Sequence, residues 1–403
     1  MKLVFFTFYY PPDLCAGSFR AVALAEALSN KLNVDDEIHI ITTHPNRYAS
    51  HKAEAESDVL EGNVRVHRIR VPVHKSGMAS QARSFLTYSW HAFFLCLKIR
   101  PDFIIGTTSR LMTGVLTWFS AAIVRCRYFI DLRDIFSETI SDVFSLKSRF
   151  IGRVVKIVFS FIEKRVFTNA AGVNVVSLGF PDYFEAHGIS TCNWTFFPNG
   201  VDREFIGLPR QKNISQDEVI TILYAGNIGS GQGLETIVPT VAQRLGNQYK
   251  FIIIGDGGTK HLLKKKIEAD GIKNIELLPP VSREKLTQYY NNSDMLFLHL
   301  NDLPAFKRVL PSKIFEYTAL GKPVIAGLSG YSAQFVRDHV GFGCVFSPGD
   351  ASACVSCVER ASLGDITEEV VENFISKYSR ESIMNDMSNH ILSVITSGAV
   401  NGR

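Results

Sequence analysis

Short apolar runs recur along this chain with room for one helix between each pair, and the pattern starts afresh past the midpoint. The first series is LVFFTFY, EIHIIT, VRVHRIRV, DFIIGT and YFIDL. The second opens after about residue 215 with ITILYAG and continues through KFIIIGDG, IELLPPV, MLFLHL, PVIAG and GCVFS. Strands that alternate with helical segments build βαβ units and a mostly parallel sheet. Runs that are apolar throughout, rather than at every second residue, fit strands covered on both faces. The pattern predicts an α/β protein of two Rossmann-like, doubly wound domains. The polar stretch LPRQKNISQDE, residues 208–218, is the predicted linker. That gives a first domain over 1–207, a second over 208–375, and a tail over 376–403 whose helical YSRESIMNDMSNHILSVI crosses back to brace the first. Ligands of such sheets bind in the crevice at the carboxyl ends of the strands. Two facing domains would join their crevices into one central cleft.

A chain of 403 residues, 46% hydrophobic and 20% charged, has enough apolar content for a core in each half. The net charge of +4 is too mild to indicate a nucleic-acid partner. Seven cysteines show no repeated spacing, and Cys354 and Cys357 form one C-x-x-C with no second pair. Reduced thiols are the expectation. The opening MKLVFFTFYYPP carries a lysine and a short apolar run like a signal peptide, but it stops at two prolines with no small-residue cleavage site. A first buried strand explains it better. No apolar run reaches the roughly 18 residues that span a bilayer.

Three glycine-rich turns follow predicted strands: CAGSFR at 15–20, entering a helix near Ala21, AGNIGSGQG at 225–233, and GDGG at 255–258. Glycine lets backbone approach a ligand, and a helix start aims amide hydrogens at an anion. None is a P-loop, because no G-K-[ST] follows, and neither GNIGSG nor GDGG has dinucleotide-fingerprint spacing. The stretch PSKIFEYTALGKP, residues 311–323, places Lys313 three residues before Glu316 on one helix face. A carboxylate there can accept two ribose hydroxyls. Lys313 and Arg308 can neutralise a diphosphate, and Ser312 can cap the helix. The bland alternative is an ordinary surface pair.

The order of these pieces resembles the retaining glycosyltransferase family 4 of the GT-B fold, over nearly the whole chain. YYPPDLCAGSFRAVALAEAL is similar to its first glycine loop and helix, and FPNGVDREF to its Asn-Gly-Val-Asp signature. YAGNIGSGQGLETIV, IIIGDGG and FEYTALGKPVIA are similar to its donor-domain motifs. The variants PSKIFEY and YAGNIG…QGLE resemble a bacterial branch that builds surface polysaccharides, including N-acetyl-L-fucosamine transferases of O-antigen and capsule synthesis.

That resemblance implies a nucleotide sugar, UDP-linked, in the second domain and an acceptor held mainly by the first. The acceptor it implies is a polyprenyl-diphosphate-linked saccharide, with the enzyme peripheral on the cytoplasmic face of a bacterial inner membrane. Glu316 matches the second glutamate of the family's E-x7-E motif, the ribose ligand, while its first position is Arg308 here. Donor contacts are implied for Gly17, Gly226, Asn227, Gln232, Gly233, Asp256, Gly257, Val281, Arg308, Ser312, Lys313 and Glu316. Relatives often carry arginine and lysine near Asn227 and Gln232, so the charge is expected to have moved to Lys313 and Arg308. A histidine often follows the strand matching YFIDL, where this chain has IDLRDIFSE. Asp131, Arg133 and Asp134 are therefore the catalytic candidates, with a salt-bridged loop as the alternative. The expected chemistry is transfer with retention, in which the enzyme stabilises a leaving diphosphate and positions the acceptor hydroxyl. No D-x-D pair is present, which fits the metal independence and lack of a resident cofactor expected of GT-B enzymes.

KSRFIGRVVKIVFSFIEKRVF, residues 147–167, sets Ile151, Val155, Val158, Ile162 and Val166 on one face and Arg149, Arg153, Lys156 and Lys164 opposite. Such a helix suits an anionic membrane surface, with Arg149, Arg153 and Lys156 as contacts, or else packs its apolar face into the core. Phe85, Trp90, Phe93 and Phe94 add aromatics nearby. Two rival readings are a sugar-nucleotide 2-epimerase, for which His187, His261 and His299 lack obvious partners, and a non-catalytic nucleotide-sugar-binding subunit. Turnover separates the latter from any enzyme.

Overall fold

The computed structural model of the protein describes residues 1–45, 55–72, 78–108, 111–135, 149–207, 219–361 and 366–400. It comprises two compact units, Met1–Asn199 with Arg380–Arg403, and Gly200–Ser379. The boundaries differ from those expected at 207/208 and 375/376. The reason is local pairing: the Val201 amide donates to the Tyr378 carbonyl at 2.7 Å and Val201 bridges Ser379, so residues 200–207 belong to the second unit. The expected linker at 208–218 lies outside the described residues.

The first unit is an eight-stranded sheet in the order β3-β4-β2-β1-β5-β6-β7-β8. Its strands are β1 (Lys2–Phe6), β2 (Glu37–Thr43), β3 (Asp58–Glu61), β4 (Val64–Ile69), β5 (Phe103–Thr108), β6 (Arg127–Leu132), β7 (Gly172–Val175) and β8 (Thr195–Phe196). All pairs are parallel except β3 with β4. The centre is apolar on both faces, with Leu3 in register with Ile38 on one side and Phe103 on the other. The short, polar edge strand β3 is not foreshadowed by the apolar pattern. Connections that step from β4 to β5, β6 and β7 run one way across the sheet, and the step from β1 to β2 runs the other. Right-handed crossovers therefore put α2 (Met78–Ile99), α3 (Leu111–Val124) and α4 (Arg149–Thr168) on one face and α1 (Ala16–Ser29) on the opposite one. After the short α5 (Pro181–Ala186), the last helix, α13 (Arg380–Val400), packs on α1. There Lys31 donates to the Asn385 carbonyl at 2.6 Å and to Ser388 at 2.7 Å. The tail thus returns to the first unit, as expected.

The second unit is an all-parallel sheet in the order β11-β10-β9-β12-β13-β14. Its strands are β9 (Ile220–Asn227), β10 (Tyr249–Asp256), β11 (Ile275–Leu278), β12 (Met295–His299), β13 (Val324–Gly327) and β14 (Gly343–Phe346). The helices are α6 (Leu234–Leu245), α7 (Lys260–Ala269), α8 (Arg283–Asn292), α9 (Lys313–Ala319), α10 (Gly330–His339), α11 (Ala351–Ala361) and α12 (Glu368–Tyr378). Strand order reverses between β9 and β12, and that switch point opens the crevice. Cys344 and Cys357 are joined as a disulfide with Cα atoms 5.6 Å apart, against the expectation of reduced thiols, while Cys354 stays free and buried. Among the described residues no helix is long and apolar enough to cross a membrane. The side chains of Arg149, Arg153 and Lys156, the membrane contacts expected from the sequence, lie outside the described residues.

Candidate functional site

The crevice of the second unit lies between the loop after β9 and the segment after β12. Two glycines shape it. Gly233 has a positive φ of 57°, and a Cβ there would lie 2.1 Å from the Asn301 Oδ1. A Cβ on Gly226 would meet the Lys313 Cε at 3.1 Å. Bare backbone at these points lets the β9 loop close on the β12 segment, and the Asn301 amide donates to the Gly231 carbonyl at 2.8 Å. His299 clamps the same loop from beneath. Its Nδ1 lies 2.6 Å from the Gln232 carbonyl, and its Nε2 accepts the Gly349 amide at 3.0 Å. A ring that donates at Nδ1 and accepts at Nε2 is neutral, and burial holds its pKa below the ordinary value.

Asn227 and Gln232, expected to face a diphosphate, hydrogen-bond to each other at 2.8 Å, and Gln232 also accepts the Gly229 amide at 3.3 Å. The amides that stand in for a relative's charges thus brace their own loop. Asp256 and Gly257 back that loop. The Asp256 carbonyl accepts the Ile228 amide at 2.9 Å, and its carboxylate accepts the Gly257 amide at 2.8 Å. Val281, half-buried, follows the edge strand β11, two strands from β9.

Helix α9 carries the charges. Its Lys313 Nζ lies 3.1 Å from the Glu316 Oε2, and the Tyr290 hydroxyl donates to the same oxygen at 3.2 Å. Glu316 is 7% exposed, so the surface-pair reading fails. Ser312 makes no side-chain cap bond and has helical backbone angles itself. The expected Ser312 cap is therefore not made. Arg308 follows a 3-10 turn and donates to the Pro304 carbonyl at 3.4 Å.

Sequence reasoning missed what holds Glu316 in place. Arg283 pairs with both Asp202 and Glu204, and its guanidinium lies 5.3 Å from the Phe205 ring centre. Phe205 meets Tyr290 edge-on at 5.7 Å. Within the second unit, Asp202, Glu204 and Phe205 thus hold Arg283 and prop the tyrosine that orients Glu316. The only prior signal was Tyr290 in the otherwise polar QYYNNSD.

In the first unit the candidates separate. Asp131 is buried and accepts both arms of Arg20, Nε to Oδ2 and Nη2 to Oδ1, each at 2.8 Å. Thr107 adds a bond at 3.2 Å and Asn174 one at 2.8 Å. Burial pushes this carboxyl up and the Arg20 charge outweighs it, so its pKa falls below the usual range. Arg20 also donates to the Pro198 carbonyl at 2.6 Å and the Phe197 carbonyl at 2.9 Å. Asp131 is therefore a structural anchor, not the catalytic group expected of it: burial leaves a substrate no access to it. Two charges set in apolar runs, Arg20 in FRAVALAEAL and Asp131 in YFIDL, were the readable sign that they must meet.

Gly17 is also corrected. Helix α1 begins at Ala16 rather than near Ala21, so Gly17 lies in its first turn. A Cβ there would meet the Arg133 Nη1 at 2.7 Å. The glycine admits a guanidinium. Arg133 reaches the Asn199 side chain at 3.4 Å, and burial together with the Arg20 charge pushes its pKa down to about 10. Arg133 and Gly17 meet at the carboxyl edge of the first sheet, with exposed Asp134 next in the chain. Among the described residues no group of three or more His, Cys, Asp or Glu is placed to hold a metal ion.

Residues 19–200 match the family described as "Glycosyl transferase 4-like domain", and residues 208–377 match "Glycosyl transferases group 1". The chain is 23% identical to WcaI of Escherichia coli (strain K12), named as a colanic acid biosynthesis glycosyl transferase, over 97% of this chain and 100% of that one. It superposes on sucrose-phosphate synthase of Thermosynechococcus elongatus with a TM-score of 0.75 at 15% identity, covering 98% of this chain and 99% of that one. The Anabaena protein HepE in complex with UDP-glucose gives 0.65 at 16% identity, with 98% and 99% covered. With a mostly parallel sheet in each unit, as the pattern predicted, and a matching family over each, this chain is a GT-B glycosyltransferase built from a 4-like domain and a group 1 domain.

Proposed function

We propose that the protein moves a sugar, with retention of configuration, from a UDP-linked donor to a polyprenyl-diphosphate-linked saccharide during bacterial surface polysaccharide synthesis. By the branch it resembles, the sugar is an N-acetylated deoxyhexosamine. The observation that carries the reading is the Lys313–Glu316 pair beside Gly226 at the switch point of the second sheet. Glu316 accepts the ribose hydroxyls while Tyr290 and Lys313 fix its orientation. Lys313, with Arg308, meets the charge that grows on the departing diphosphate. In the first unit Arg133, at the carboxyl edge of its sheet, is the group that meets the acceptor's attacking hydroxyl. The names of WcaI and of the HepE complex support the pathway and the donor nucleotide.

The test is calorimetric titration of UDP, GDP and TDP, without metal, into the wild type and Glu316→Ala. UDP should bind, and the variant should lose at least about tenfold (about 1.4 kcal/mol). Equal binding by the two proteins refutes the assignment of Glu316. Turnover of a UDP-sugar on a lipid-linked acceptor should survive EDTA, and its loss would refute metal independence.

A further inference from the structure

At the β3 edge of the first sheet four titratable side chains stand in a row. Glu37 and His39 come from β2, His67 from β4 and Asp58 from β3. The Glu37 Oε2 lies 3.0 Å from the His39 Nε2, the His39 Nδ1 3.1 Å from the His67 Nε2, and the His67 Nδ1 2.6 Å from the Asp58 Oδ1. The two ring planes are within 6° of each other. The four are strung out rather than gathered about a point, so they form no metal-holding group. They hold protons instead. Each of the three links needs one proton between its two heavy atoms. Two neutral imidazoles bring two, and ionised carboxylates bring none. The row is complete only with one proton more, which makes one ring an imidazolium.

The surroundings decide which ring. His39 is buried, and burial holds its pKa below the ordinary value against the pull of Glu37. The charge therefore rests on His67, which donates from Nδ1 to Asp58 and from Nε2 to His39, while His39 donates from Nε2 to Glu37. Arg65, in register with His39, opposes a second positive charge, and Lys2 lies 3.8 Å from the Glu37 carboxylate. Helix α2, packed on β2 and β4, carries Arg83, Tyr88, His91, Cys96 and Lys98. Glu61, three residues past Asp58, lies on the other face of β3. A second proton would set N–H against N–H across the 3.1 Å link. Loss of the first would leave one link as two facing lone pairs. One count of protons closes the row, and one more or one fewer opens it.

The hairpin held in this way reaches toward the crevice of its own unit. Arg68, next to His67 on β4, donates to the Glu56 carbonyl at 3.0 Å and to the Pro11 carbonyl at 2.9 Å. Pro11 lies four residues before Cys15, the N-cap of α1, whose first turn holds Gly17 against Arg133. We propose that Glu37, His39, His67 and Asp58 are a one-proton clasp that fixes the β3–β4 hairpin to β2, and through Arg68 the loop ahead of Gly17, and that a second proton in acid releases both. His39 sets the direction. Its folded pKa lies below its unfolded value, so its contribution is complete above about pH 6.5 and is lost as pH falls from there through the folded value. The inference stands on the first unit alone and does not depend on the transferase reading.

The experiment is hydrogen exchange of the full chain, read by mass spectrometry between about pH 7.5 and about pH 5 and corrected for the intrinsic rate. In the wild type, exchange over residues 58–69 and 9–15 should rise at least about tenfold in acid, while β5 at the centre of the sheet keeps its protection. In His67→Gln a protonated His39 can still donate to the amide oxygen, so the same segments should change less than about twofold. Asp58→Asn keeps an acceptor but removes a charge, and should move the acid step to lower pH by up to about 0.7 unit. Its side chain is 71% exposed, so it carries the test should His67→Gln not fold. Equal wild-type protection at both ends of the range would overturn the proposal. So would an acid loss that His67→Gln leaves in place, as His44 beside Ser57 would give, a loss that takes β5 with it, or an Asp58→Asn step that stays or moves up.

Discussion

Each unit places a carboxylate against a cation near the carboxyl end of its sheet, and the two pairs are built for different work. Arg20 and Asp131 are each 1% exposed, come from different elements, and draw in Thr107, Asn174 and two backbone carbonyls. The side chains of Lys313 and Glu316 are 21% and 10% exposed, stand one turn apart on one helix, and share Tyr290. A pair sealed from solvent can only hold the protein together. A pair at a crevice wall with part of its surface open can also hold something else. Proximity of opposite charges therefore says little about function until exposure and the origin of the partners are known.

The most severe test of that contrast is Asp131→Ala. It leaves Arg20 charged and buried, and should cost about 3–5 kcal/mol in urea unfolding. Arg20→Met with Asp131→Leu should recover part of the loss. An Asp131→Ala protein of wild-type stability that fails only in turnover would dissolve the contrast. In the second crevice, Glu316→Gln keeps an acceptor for Tyr290 and should cost about 1–3 kcal/mol in unfolding, less than the loss at Asp131, yet weaken UDP at least about tenfold. Tyr290→Phe removes one hydrogen bond to a charged group, and should weaken UDP by between about threefold and tenfold (up to about 1.4 kcal/mol).

Acid offers a third way to separate the units. Burial sets the folded pKa of His299 below its unfolded value. Its contribution to stability is complete above an unfolded pKa of about 6.5 and is lost as pH falls from there through the folded value. The bond from Gly349 and the shape of the 227–233 loop should go with it. Wild-type UDP affinity should drop between neutral and mildly acidic pH, and His299→Gln should flatten that dependence. A parallel slope in both proteins would remove His299 from the account. The smallest effect is expected of Gly226→Ala. Its Cβ would press the flexible Lys313 stem at 3.1 Å, for a loss of a few-fold in affinity and under about 1 kcal/mol in stability.

Strands were legible in the sequence because continuous apolar runs bear one reading when helices separate them. The exceptions have local causes. Strand β3 is four residues long, polar and at an edge, so burial leaves no mark on it. Helix α1 starts earlier than the glycine-based reading placed it, because Gly17 serves the Arg133 side chain rather than a turn. Glu316 and Lys313 could be singled out because charge is conspicuous among Phe315, Tyr317 and Ile314. Their partner Tyr290 could not, since the second of two tyrosines set between a glutamine and two asparagines has many ordinary explanations. The Asn227–Gln232 bond was not legible for a similar reason: amides pair over five residues as readily as they bind ligands, and spacing does not tell which. The Cys344–Cys357 bond joins a strand to a helix and left no trace in a search for short cysteine spacings.

The return of α13 to α1 has a consequence for how the chain is made. Residues 200–379 form one uninterrupted stretch, and their fold can assemble as soon as that stretch has left the ribosome. The first 199 residues emerge earlier, yet lack the helix that Lys31 and Arg20 grip through Asn385, Ser388 and Met387. The half synthesised first is thus the half completed last, and until residue 380 onward arrives, one flank of α1 stays uncovered for a chaperone to find.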